Sequence, residues 1–226
     1  MRPRESAVLR GLVPASVGAY EVELSRASAL PESAREREFR AGRDAAHAAL
    51  RRLHVRGEVG RRSDRTPAWP AGSTGSIAHC PHLAVAVTAV RTEMSGIGVD
   101  VEDLDSVGPD LASVVLTDAE ERRGASAHAD LLAAMFSMKE ASYKCWYPLT
   151  GVVLDFTDIE VSIDVTAGSF CAEMVTPALR RPSHVLACGR FVTVGGHVYS
   201  AAWIDAARGD LPIVGATGCR DVSHNL

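Results

Sequence analysis

The apolar positions of the chain change period several times. Val8, Leu9, Leu12 and Val13 form short apolar stretches, and Tyr20, Val22 and Leu24 then alternate with the two-residue period of a strand. From Ser33 the period lengthens. Phe39, Ala46, Ala49, Leu50 and Leu53 recur at helical spacing, and Ser33 followed by Glu36 is a capping box, each side chain satisfying the other's backbone N–H. The remaining faces of that helix carry arginines. Arg35 and Arg43, eight positions apart, differ by about 80° of rotation and share one side.

Gly57 to Gly75 is rich in glycine, proline, serine and arginine and reads as a loop, without the G-K-[ST] of a P-loop. His82 to Val90 reads as a buried strand, which places His79 at its mouth. In Gly96 to Glu102, strand alternation puts Ile97, Val99 and Val101 on one face and Gly98, Asp100 and Glu102 on the other. Two carboxylates about 7 Å apart along a strand suit a hard cation if they face a cleft; otherwise they are two acids on an edge strand.

Thr117 and Glu120 form a second capping box. Residues 131 to 147 then read as a helix, with Leu132, Met135, Phe136, Tyr143 and Trp146 at helical spacing and Pro148 marking its end. Glu140 and Lys144 stand one turn apart on it, with Lys139 adjacent. Strand-like runs follow at Phe156 to Val165, Phe170 to Thr176, Val185 to Val194 and His197 to Ile204. Gly195-Gly196 joins the last two as a hairpin, and after Asp205 the pattern fades.

Composition sharpens this picture at one place. Of 24 lysines and arginines only Lys139 and Lys144 are lysine, so a compact ammonium is kept in that helix and replaced by arginine elsewhere. Residues 35 to 65 hold ten arginines against five acids, a local +5 in a chain of net −4, which fits a phosphate-rich ligand or an acidic partner better than a nucleic-acid domain. At 226 residues, 46% hydrophobic, the chain can bury a full core, and no apolar run approaches the about 20 residues of a membrane span. With no signal-peptide pattern, a cytoplasmic location is expected. Five dispersed cysteines without a C-x-x-C pair point to reduced thiols. His79, Cys80 and His82 lie close together, but no second ligand cluster follows them, so a zinc site is a weak reading.

In order, the chain therefore carries an arginine-rich helix, a Trp69-Pro70-Ala71-Gly72 turn before Gly75-Ser76-Ile77-Ala78-His79-Cys80, a Gly98-Val99-Asp100-Val101-Glu102 strand, and Phe136-Ser137-Met138-Lys139-Glu140-Ala141-Ser142-Tyr143-Lys144 running on to Trp146-Tyr147-Pro148. From about Ser33 to Ile204 this resembles the Sfp-type phosphopantetheinyl transferases, in particular the branch with the enterobactin-pathway and mycobacterial enzymes. One departure is Ala78, where the family usually has Ser or Thr; a hydroxyl contact worth about 0.5–1.5 kcal/mol is missing there, while backbone contacts survive.

The resemblance implies an α+β fold of two similar halves, residues 1–105 and 106–226, each an antiparallel sheet packed on helices, with the active site in the cleft between them. It implies transfer of the 4′-phosphopantetheine arm of coenzyme A to a serine of apo acyl, peptidyl or aryl carrier proteins, dependent on Mg2+ with Mn2+ as a substitute, by a monomer that binds neither nucleic acid nor membrane. Asp100, Glu102 and Glu140 match the metal-ligand positions. Lys144 would stabilise charge on the phosphates, Lys139 would bind the same cofactor, and His79 would donate to a phosphate oxygen beside the backbone of Ala78. Arg35 and Arg43 match positions that grip the 3′-phosphate, with Arg61 a further contact for which Arg62 and Arg65 compete. Glu140 would deprotonate the serine, directly or through a metal-bound water. The same acids and lysines would also serve a metal-dependent hydrolase of coenzyme A or another nucleotide, and a non-catalytic coenzyme A-binding module is a third reading.

Overall fold

The computed structural model describes residues 2–24, 33–175 and 186–208. The expected strand ends at Thr176 and Val185, Cys219 and the tail after Arg208 lie outside the described residues. Two antiparallel sheets carry the fold. In the first, β1 (Arg4–Glu5), β2 (Gly18–Glu23), β6 (Leu83–Val90) and β5 (Ser73–Cys80) are hydrogen-bonded in the order β1-β2-β6-β5. In the second, β7 (Met94–Asp103), β8 (Ile159–Asp164), β9 (Ser169–Met174), β10 (Ala187–Val194) and β11 (His197–Asp205) take the order β7-β11-β10-β9-β8. Between them in sequence lie α1 (Ala7–Leu12), α2 (Ala34–Arg52), the small ribbon β3 (Gly60–Arg61) and β4 (Pro67–Ala68), α3 (Ala112–Val115), α4 (Asp118–Arg122) and α5 (Ala129–Thr150).

Strand alternation explains how these pieces stack. Ala84 and Ala86 of β6 share an apolar cluster with Ala45, Ala46 and Leu50 of α2, while Val85 and Val87 share another with Val99 and Val101 of β7 and Ala201 of β11. On its far side the second sheet meets α5, where Met135, Met138 and Trp146 pack with Val161, Ala172 and Ala202. The order is helix, sheet, sheet, helix, the α+β arrangement of antiparallel sheets on helices expected for each half. The chain crosses between sheets from Val90 to Met94; the expected division at 105/106 falls just after β7, whose hydrogen bonds are made to β11.

Both capping boxes form. Ser33 N–H donates to Glu36 Oε2 at 2.8 Å while Ser33 Oγ accepts from Glu36 N–H at 3.2 Å, and Thr117 with Glu120 repeats the arrangement. Two local expectations change. The expected loop to Gly75 ends earlier, and Ser73 to Cys80, for which no strand was expected, is one: its alanine, serine and glycine residues are short, but every one of its eight residues pairs with β6, so His79 lies within a strand opposite Ala84 rather than at a strand's mouth. The last helix does not stop at Pro148. Proline costs the helix one i→i−4 hydrogen bond, yet the helix runs on to Thr150 and is closed by Gly151, whose φ of 65° is open to glycine and whose N–H donates to Tyr147 O.

Candidate active site

Close approach of α5 to β7 creates the site. The face of β7 turned to the helix carries Gly96, Gly98, Asp100 and Glu102, and a methyl group on Gly98 would overlap the Ala141 carbonyl oxygen, while one on Gly96 would come within 2.7 Å of Cys145 O. The two glycines let the helix settle onto the strand. Where they give way to Asp100 and Glu102, the helix presents Glu140 and Lys144. Lys144 Nζ donates to Asp100 Oδ1 at 2.6 Å and lies 3.7 Å from Glu140 Oε2. Glu102 accepts from Ser106 Oγ at 3.3 Å and senses the charges of Asp100, Lys144 and Glu140.

Three carboxylates thus surround one ammonium, and the imbalance shows in their acidities. Burial, then the neighbouring Asp100 charge, pushes Glu102 up to about 7 against the pull of Lys144. Glu140 is raised by burial and by Asp100, with Lys144 opposing. Burial alone would lower Lys144, but Asp100 and then Glu140 outweigh it and hold the ammonium charged. Asp100 Oδ2 is buried with no hydrogen-bond partner among the described residues. An all-oxygen set with surplus negative charge and an orphaned buried carboxylate oxygen fits a hard divalent cation such as Mg2+.

Lys139, next to Glu140 in sequence, is not placed with these groups. It is fully buried, and its three hydrogens are taken by Glu120 Oε2 at 2.6 Å, Val115 O at 2.7 Å and Phe156 O at 3.0 Å. Burial lowers its pKa and Glu120 partly restores it. Adjacent residues on a helix point about 100° apart, so Lys139 is directed into the second half's core while Glu140 and Lys144 face β7. The expected cofactor contact is corrected on this ground: an ammonium with all donors engaged inside the fold has none to offer a phosphate. Its partner Glu120 was expected only as the end of the second capping box, and the ion pair it makes with Lys139 carried no local signal in the sequence.

The basic residues form a separate group. Arg43 is half-buried, its pKa lowered by burial and by nearby Arg61; it donates to Val59 O at 3.2 Å and stacks on Phe39. Arg35 and Arg61 are exposed, as are Arg62 and Arg65. His79 is half-exposed with Nδ1 3.6 Å from Glu38 Oε2, while Ala78 is buried and its backbone pairs with Val85. The loop between β3 and β4 reaches α5: Tyr147 Oη donates to Asp64 Oδ2 at 3.2 Å, and Tyr143 senses both Glu140 and Asp64. That contact joins the loop carrying the arginines to the helix carrying Glu140 and Lys144.

Fold and site together bring three carboxylates and an ammonium to one place between β7 and α5, with Arg43 of α2 and Arg61 of β3 near one another. Two family profiles match: the 4′-phosphopantetheinyl transferase N-terminal domain over residues 23–89 and the 4′-phosphopantetheinyl transferase superfamily over residues 96–189. The chain is 35% identical over 161 residues to the 4′-phosphopantetheinyl transferase Svp of Streptomyces mobaraensis, covering 67% of this chain and 63% of that one. It is 32% identical over 164 residues to the transferase Npt of Nocardia iowensis (63% and 69% covered) and 30% identical over 151 residues to PptT of Mycobacterium tuberculosis (64% and 66%). The protein belongs to the 4′-phosphopantetheinyl transferase superfamily, related to the mycobacterial branch. Its matched stretch spans less than two thirds of the Streptomyces relative's length. Among the described residues no helix is long and apolar enough to cross a membrane.

Proposed function

We propose that the protein transfers the 4′-phosphopantetheine group of coenzyme A to a serine hydroxyl of apo carrier proteins. A P–O bond forms to the serine oxygen, the P–O bond inside the diphosphate breaks, and adenosine 3′,5′-bisphosphate leaves. The observation that carries this reading is the convergence of Asp100, Glu102 and Glu140 on Lys144, since phosphoryl transfer is mostly positioning and charge stabilisation. Magnesium bound by the three carboxylates would supply positive charge against the diphosphate.

Lys144 stabilises negative charge on the phosphate oxygens. Glu140, its proton affinity raised by burial, accepts the serine proton. Arg43 and Arg61, near enough for their charges to interact, bind the terminal 3′-phosphate, and the Asp64–Tyr147 contact keeps the loop after Arg61 against α5. Arg35 extends the same basic side, and His79 with the backbone of Ala78 contacts the cofactor from β5. The acidic carrier docks beside this basic side.

Incubation with coenzyme A, Mg2+ and a panel of apo carriers tests the reading. A carrier that gains one phosphopantetheine on its serine supports transfer; breakdown of coenzyme A with every carrier unmodified identifies a hydrolase instead.

A further inference from the structure

Three residues that the transferase chemistry does not use meet at the ends of three strands. Cys80 closes β5, Asp103 closes β7 and His197 opens β11, and one ligand atom from each lies within 4.8 Å of the other two. His197 and Asp103 are paired in register between β7 and β11, whereas Cys80 belongs to the other sheet. Asp103 is three positions from Asp100, so pleating turns it to the opposite face of β7. The cluster is therefore distinct from the carboxylates facing α5.

The hydrogen bonding of His197 leaves a gap at its centre. Nδ1 lies 3.0 Å from the Gly195 carbonyl oxygen, which can only accept, so Nδ1 carries the hydrogen. In the neutral ring Nε2 is then a bare lone pair, buried without a hydrogen-bond partner and 3.0 Å from Asp103 Oδ1, itself an acceptor. Two acceptors at that distance repel unless a proton or a metal ion serves both. The Cys80 sulfur at the same point favours the metal, because thiolate, imidazole and carboxylate together are zinc ligands. The bond from Nδ1 to a carbonyl is also the outer contact that fixes a metal-bound histidine. Zinc at about 2.0–2.3 Å from each donor would set them about 3.3–3.7 Å apart, within the span observed.

We propose that Cys80, Asp103 and His197 form a zinc site that fastens the edge of the first sheet to the second, with the fourth position open to water. Its ligands come together only in the folded protein, so the ion stabilises the packing of the two sheets. It is independent of the transferase reading and would stand if that reading failed.

Cobalt titration of the full, metal-stripped chain, with zinc affinity read by competition against a chromophoric chelator, tests the site. One equivalent of Co2+ is expected to give a sulfur-to-cobalt charge-transfer band, and one equivalent of Zn2+ to raise the melting temperature. Cys80→Ser should abolish the band. His197→Gln, which keeps the thiol, should weaken zinc binding by more than the about 10–100-fold typical of losing an outer contact. Asp100→Asn, which alters only the all-oxygen group facing α5, should leave the sulfur-to-cobalt band unchanged. A wild-type protein without the band, or a band that persists in Cys80→Ser, overturns the proposal and leaves a proton, rather than a metal ion, between Nε2 and Asp103. If Cys80→Ser fails to fold, unchanged zinc affinity in His197→Gln overturns it as well.

Discussion

Replacing Lys139 by methionine separates a structural lysine from a cofactor-binding one. The change keeps the length of the side chain and removes its charge, leaving Glu120 buried without its cation and with the N–H groups of Thr117 and Val161 as its remaining donors. The carbonyls of Val115 and Phe156 lose their donor too. Removing one partner of a buried ion pair costs about 3–5 kcal/mol. At about 2–4 °C per kcal/mol for a chain of this size, the melting temperature should fall by about 6–20 °C. Adding Glu120→Gln should recover part of the loss, because the uncompensated charge is then gone. Lys144→Met should show the reverse balance: its side chain is 29% exposed rather than fully buried, so the melting temperature should fall by less than in Lys139→Met while transfer is lost. The assays are thermal melts followed by circular dichroism and coenzyme A saturation curves with an apo carrier. The reasoning is refuted if Lys139→Met melts with the wild type and instead raises KM for coenzyme A by roughly tenfold, about 1.4 kcal/mol of lost binding.

Other outcomes follow from the same geometry. Gly98→Ala should drive α5 off β7, costing about 1–3 kcal/mol or more and lowering transfer in step, as melts and activity together would show. Glu140→Gln should reduce transfer by about 10²–10⁴-fold without changing the melting temperature much; intact transfer would remove Glu140 from the mechanism. Arg43→Ala should raise KM for coenzyme A roughly 10–100-fold but leave KM for the 3′-dephospho analogue unchanged, as expected when one charge-assisted hydrogen bond to that phosphate is removed. Glu102 ionises near 4.5 in an ordinary setting and at about 7 in the fold, so its ionisation opposes folding: metal-free protein should lose stability as pH rises through that window. Urea unfolding of the metal-free wild type and Glu102→Gln across it checks the sign, since the variant should lack that loss.

Much of the candidate site was legible because it is local. Alternation along Gly96 to Glu102 gives the face of each carboxylate, and the one-turn spacing of Glu140 and Lys144 gives the helix stripe opposite them. What the sequence could not show is why Gly98 stands beside the acids: it admits the helix, since a methyl group there would overlap the Ala141 carbonyl oxygen. Lys139 shows where local reading ends. Its neighbours in sequence tie it to the active site, yet its fate is decided by Glu120, 19 residues away, and by two carbonyls from other elements. Cys80 is the sharper case, because the two residues it meets, Asp103 and His197, are far from it in sequence and arrive only when two sheets pack. Strand β5 was missed for a related reason: its small residues carry weak strand propensity, and pairing along the whole of β6 supplies what the sequence lacks.

A crystal grown with coenzyme A and Mn2+, mapped by the anomalous scattering of manganese, tests the central claim most directly. The account predicts one peak bounded by Asp100, Glu102 and Glu140, with carboxylate oxygens at about 2.0–2.2 Å, the diphosphate on its open side and Lys144 on the phosphate oxygens. A peak elsewhere, or a diphosphate bound to Lys139 with the three carboxylates turned away, would contradict it.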